Sequence, residues 1–66
     1  MADYGKYFKK FREAKGISQT ELAERVGVSQ QSISNYEKDF KEPSFDVLVR
    51  IANVLECDVD RLLGRR

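Results

Sequence analysis

The chain has 66 residues, 41% hydrophobic and 35% charged, and its 12 basic and 11 acidic side chains leave a formal net charge of +1. That length holds one small domain (1–66), with enough apolar residues for a real core and too many for a disordered chain. There is no histidine and one cysteine, Cys57, which removes an intrachain disulfide, histidine-based metal sites and histidine-dependent triads, argues against an enzyme, and fits a reducing compartment.

Five short helices and no strand are predicted, an all-α class. Tyr4, Tyr7, Phe8, Phe11 and Ala14 recur at three- and four-residue steps, with Lys6, Lys9, Lys10 and Glu13 mostly outside and Gly16 as the stop. A second helix opens at Ser18, which caps it while Glu21 reaches back to the Ser18 amide. Ile17 and Leu22 staple its entry, and Gly27 ends it after Val26. Ser29 opens the third in the same way, stapled by Val28 and Ile33, and this helix runs to Lys38 or Asp39. About three residues separate the second and third helices, so the pair turns sharply, as in a helix-turn-helix.

Pro43-Ser44 closes a polar loop and opens a fourth helix. Its stripe is Phe45, Leu48, Ile51, Ala52 and Leu55, widened by Val47, Val49 and Val54. Asp58 caps a last short helix through Leu62 and Leu63, stopped by Gly64. Cys57, between the last two helices with no second cysteine or histidine beside it, is expected as a packed thiol. The aromatics of the first helix share one stripe and belong to the core, not to a base-stacking platform.

The third helix carries the informative side chains. With Ile33 as the buried direction and 100° per residue, Gln31, Asn35 and Lys38 point away and Ser34 sits beside them. Gln30, in the first turn, projects off the helix end. Glutamine and asparagine can pair bidentately with adenine, and serine serves several bases. The second helix has Glu21 three residues after its cap; the third has Ser32 there, so no acid faces an approaching phosphate. This face is either a base-reading surface or an uncharged solvated one. Charge distribution leaves the same choice open. Residues 1–16 carry five basic and two acidic groups, residues 17–42 three and five, and residues 43–66 four of each.

Glu37 falls about 40° from Ile33, on the inward side of the third helix. A carboxylate there needs a partner, and Arg12, on the inner edge of the first helix, is the expected one. Its planar guanidinium would grip both oxygens and turn its remaining donors outward.

The run Ser18-Gln19-Thr20-Glu21-Leu22-Ala23-Glu24-Arg25-Val26-Gly27-Val28-Ser29-Gln30-Gln31-Ser32-Ile33-Ser34-Asn35-Tyr36-Glu37 resembles the helix-turn-helix of the Cro/phage-repressor (XRE) family. The likeness extends upstream through Arg12-Glu13-Ala14-Lys15-Gly16, and downstream through Glu42-Pro43-Ser44 and Asp60-Arg61-Leu62-Leu63-Gly64. It implies a five-helix, lambda-repressor-like domain whose third helix enters the major groove of duplex DNA.

On that resemblance Gln30, Gln31, Ser32, Ser34 and Asn35 read bases, and Gln19 grips a phosphate and touches the recognition helix. Lys38 and Lys41 carry further phosphate contacts. Arg12 and Glu37 form a structural pair that also presents the arginine to phosphate. The family commonly has glycine and then a basic residue where this chain has Asp39 and Phe40; Asp39 weakens the helix end and Phe40 is expected to fold back onto the core.

A bidentate base contact gives about 1–3 kcal/mol of discrimination. A specific site needs a Kd near ~10⁻⁸ M, about 11 kcal/mol, so two subunits on half-sites are expected. The family's C-terminal pairing points to Val59, Leu62 and Leu63 as the homodimer surface, with Leu62 expected to close the monomer's own core as well.

The function implied is a transcriptional regulator, foremost a repressor, on a palindromic operator. The alternatives are an antitoxin or restriction-modification controller that regulates its own operon, and a protein-interaction module that keeps the fold without reading DNA. No cofactor or metal is implied, nor an effector within this domain. No run of about 18 apolar residues or signal-peptide h-region is present, so a cytoplasmic protein of bacterial or phage origin is expected.

Overall fold

The computed structural model describes residues 4–65, which form α1 (Gly5–Lys15), α2 (Gln19–Val26), α3 (Gln30–Glu37), α4 (Phe45–Leu55) and α5 (Val59–Leu62), with no strand among them. The helix starts are written in the serines and in Asp58. Ser18 Oγ accepts the Glu21 N–H at 3.0 Å, Ser29 Oγ accepts that of Ser32 at 3.0 Å, and Ser44 Oγ that of Val47 at 3.3 Å. Asp58 Oδ1 accepts the Arg61 N–H at 2.8 Å. Each satisfies one N–H that a helix start leaves unpaired. The Ser18 box is only half made: the Glu21 carboxylate accepts from Arg25 Nη2 at 2.6 Å, one turn along the same helix, not from the Ser18 amide. Both side chains of that pair are about half exposed, so it contributes only a few tenths of a kcal/mol.

Gly27 ends α2 at φ 89°, and its N–H and that of Val28 both reach the Ala23 carbonyl, at 2.8 and 3.1 Å. That left-handed turn favours glycine and lets α3 start three residues later. Ile17 and Val28 pack on the core beside the buried Leu22 and Ile33, as the staples require. Phe8, Leu22, Ile33, Ile51 and Leu62 are the largest fully buried side chains; Ala23, Val26, Tyr36, Leu48, Ala52 and Leu55 complete the core. Tyr4, Phe11, Val47, Val54, Val59 and Leu63 pack around it.

Three apolar expectations are corrected. Ala14 lies exposed near the end of α1. Phe45 is 72% exposed: as the first residue of α4 its Cβ tilts back off the helix end, away from the core that Leu48 and Ile51 reach. Phe40 is 76% exposed instead of folded onto the core. Its N–H donates to the Asn35 carbonyl at 2.9 Å, so the backbone is held under the last turn of α3 while the ring stays in water, with Lys38 Nζ 5.9 Å from its centroid.

Helix α3 stops at Glu37 because Asp39 turns left-handed, at φ 61°. There α1 lands on it. A Cβ at Gly5 would lie 2.6 Å from the Glu37 carbonyl oxygen and closer still to that of Tyr36, so only glycine permits this approach. The Gly5 N–H donates to Asp39 Oδ1 at 2.9 Å, while Tyr4, at the N-cap of α1, offers no side-chain cap of its own. At the other end of α1, Lys15 Nζ meets Glu56 Oε1 at 2.6 Å; Glu56 is the left-handed residue, φ 57°, that ends α4. Both ends of α1 are thus held by acids at left-handed turns.

Candidate nucleic-acid interface

The site is built outward from Arg12. Its Nε donates to Glu37 Oε2 at 2.7 Å and its Nη2 to Glu37 Oε1 at 3.2 Å, with the two side chains only 10% and 4% exposed. That is the bidentate inward pair expected from the sequence. The hydrogen bond to Glu37 holds the guanidinium's pKa above its ordinary value against the opposing effect of burial. The remaining Arg12 donors do not simply face outward: Nη1 donates to the Ile17 carbonyl at 2.9 Å, closing the turn between α1 and α2. The group expected to reach phosphate is therefore nine-tenths covered, with three of its five N–H donors on internal partners.

From Glu37 the network runs to the surface. Gln19 Nε2 donates to Glu37 Oε1 at 3.0 Å, and Gln19 Oε1 accepts from Gln30 Nε2 at 2.6 Å. One fixed amide at the start of α2 thereby holds the exposed Gln30 at the start of α3. Beside it Gln31, also exposed, donates to Asn35 Oδ1 at 3.1 Å, one turn along. Gln30, Gln31 and Asn35 lie together on the outward side of α3, with Asn35 half-buried. Ser32 is half-buried and bound into the cap, accepting from Ser29 Oγ at 2.9 Å.

Ser34 is not part of the outward set. It is 8% exposed. The buried residues of α3 run from Tyr36 on one side of Ile33 to Ser34 on the other, a sector about 160° wide by helical arithmetic. Packing by α1 as well as α2 widens the buried sector beyond one stripe and takes Ser34 inside.

Lys38, at the C-cap of α3, and Lys41, in the loop that follows, are both exposed. Between them the Asp39 carboxylate is held by α1, a contact across 34 residues that sequence reasoning missed. Nothing in the residues around Gly5 or Asp39 signals it in the sequence. Burial first, then Glu42 beside its hydroxyl, raises the Tyr4 phenol, placing a second acid of this loop against the start of α1. Of the expected dimer residues, Leu62 is fully buried and so unavailable to a partner, while Val59 and Leu63 are half-buried. Cys57 is half-buried against the core, its thiol pushed up chiefly by burial. Among the described residues no cluster of Cys, Asp or Glu could hold a metal ion, and no helix is long and apolar enough to cross a membrane.

The helix-turn-helix family pattern matches residues 8–62. The HTH-type transcriptional regulator ImmR of Bacillus subtilis (strain 168) is 36% identical over 61 residues, 92% of this chain and 48% of ImmR. SinR of the same organism is 35% identical over 63 residues, 94% of this chain and 57% of SinR. The chain spans about half the length of the curated relatives it matches. Among solved structures, the P22 c2 repressor in complex with a synthetic operator superposes with a TM-score of 0.90 at 32% identity, covering 96% of both chains. SinR in complex with DNA superposes with a TM-score of 0.86 at 35% identity, covering 92% of this chain and 98% of that one.

Proposed function

The chain belongs to this helix-turn-helix family, and from that premise we propose that it binds duplex DNA sequence-specifically as a transcriptional regulator, acting as a repressor that occupies an operator. The observation that carries this reading is the amide pair at the start of α3. Gln30 is fixed by Gln19 at 2.6 Å, and Gln31 stands exposed beside it. Ordered amides at a helix end suit adenine edges, because each can donate and accept at once.

In this reading α3 lies in the major groove, with Gln30 and Gln31 on base edges and Asn35 behind them. Ser32 is bound into the cap and serves the adjoining backbone. Gln19, Lys38 and Lys41 meet phosphates, and Arg12 supports them from within. Two chains pair through Val59 and Leu63 on a palindromic site, doubling a contact set too small for one.

Exposed Phe40 and Phe45 favour a second reading, a protein-contact surface on the same fold. Selection of bound duplexes from a random pool separates the two. A DNA reader recovers a common motif, with affinity falling by about 0.9 logarithmic units per phosphate contacted for each tenfold rise in salt. Recovery of no motif defeats sequence-specific reading and leaves the protein-contact surface.

A further inference from the structure

Asp39 stands between Lys38 and Lys41, the two cations proposed to meet the DNA backbone, at a place where an acid should repel phosphate. It also occupies a left-handed turn, φ 61°, that glycine would enter without strain. Taken alone, both features are costs. What sets against them is the 2.9 Å hydrogen bond from the Gly5 N–H to Asp39 Oδ1, which supplies from the turn after α3 the cap that Tyr4 does not give α1. Close packing reinforces the contact, since Gly5 sits directly on the Tyr36 and Glu37 carbonyls. The turn that follows is fixed on its other side by the Phe40 N–H on the Asn35 carbonyl, 2.9 Å. The backbone from 38 to 40 is therefore held between the start of α1 and the last turn of α3, and Lys41 follows directly on it.

We infer that Asp39 is a positioning residue for DNA binding: by capping α1 from across the fold it fixes the turn that sets Lys38 and Lys41 against phosphate. This rests on the DNA-binding reading above. A bystander acid and a positioning acid give opposite signs on removal. Asp39→Gly deletes a negative charge beside the phosphates and relieves the left-handed backbone, so a bystander acid predicts tighter binding. A positioning acid predicts weaker binding, because the turn comes loose from α1.

The test compares the wild-type chain with Asp39→Gly, Asp39→Asn and Lys41→Ala on the duplex that the wild type selects most strongly from a random pool, over a range of salt. Unfolding in urea is measured in parallel. Asp39→Gly is expected to bind on the order of five- to tenfold more weakly, with a salt slope shallower by about 0.9, the change expected of Lys41→Ala. Asp39→Asn tolerates the left-handed turn and still presents an oxygen to Gly5, so it restores wild-type affinity or exceeds it.

Equal or tighter binding by Asp39→Gly overturns the inference, as does an Asn variant that fails to rescue. A Gly variant that no longer folds makes Asp39 structural and overturns it too. A wild-type chain that selects no duplex defeats the DNA-binding reading instead, and the positioning role falls with it.

Discussion

Gln19 carries two of the contacts on which the outward face depends: it donates to Glu37 and accepts from Gln30. A glutamine in water samples many rotamers, and fixing one before DNA arrives removes part of the entropy cost of binding. The Gln19→Ala, Gln30→Ala double-mutant cycle on operator affinity is therefore expected to give a coupling of about 0.5–3 kcal/mol. Additive losses would mean that Gln19 does not position Gln30. Deeper in the same network, Arg12→Ala or Glu37→Ala leaves the other charge buried without its partner, at a cost of about 3–5 kcal/mol in urea or thermal unfolding. A chain of this length holds about 3–10 kcal/mol in total. Operator binding by these two variants is informative only at temperatures where they remain folded. Cys57 behaves differently: with its thiol pushed up by burial, little thiolate is present near neutral pH, and alkylation is expected to be slower than for the unfolded chain.

Two helices of eight residues each would be marginal alone, so α2 and α3 depend on caps and on packing. Ser18→Ala and Ser29→Ala should each cost about 0.5–2 kcal/mol in denaturant unfolding. Glu21→Ala should cost a few tenths, because its partner is the half-exposed Arg25 and not the cap amide. Glu56 presents the opposite balance. Its left-handed backbone carries strain, and its pair with the half-buried Lys15 leaves the Glu56 carboxylate exposed to screening by salt, so Glu56→Gly is expected to raise the thermal midpoint. Lys15 holds the Glu56 carboxyl below its ordinary pKa, so the pair's contribution is present above the ordinary carboxylate range and fades as acid protonates Glu56.

These elements were legible in the sequence because caps, staples and glycine stops act over three to five residues. Ser34 and Phe40 were misplaced because their exposure depends on which helices flank α3 and where the chain goes after a left-handed turn. A helical wheel drawn around Ile33 contains neither fact. The Arg12–Glu37 pair was readable, since a carboxylate on a buried face demands a cation and few were placed to supply one. The Asp39–Gly5 cap was not, because nothing local to either residue points to the other.

The molecule as a whole spends its core on holding α3 still. Phe8 of α1, Ile51 of α4 and Leu62 of α5 are buried with Leu22 and Ile33, so the helix-turn-helix rests on the other three helices. Leu62→Ala should therefore cost about 2–5 kcal/mol, much of the total stability. Val59 and Leu63 are half-buried at the two ends of α5, and the proposed pairing through them should make binding to a two-half-site duplex cooperative. Replacing Val59 with glutamate is expected to abolish that cooperativity while leaving affinity for a single half-site intact, a difference that titration of one- and two-site duplexes reads directly. The central claim, that the exposed amides of α3 read bases, is tested most directly by profiling every single-base change in the selected operator against the wild-type chain and Gln31→Ala. Base reading by Gln31 gives a variant whose preference flattens at one position per half-site, by about 1–3 kcal/mol, with its salt slope unchanged. A preference profile identical to wild type at every position would contradict it.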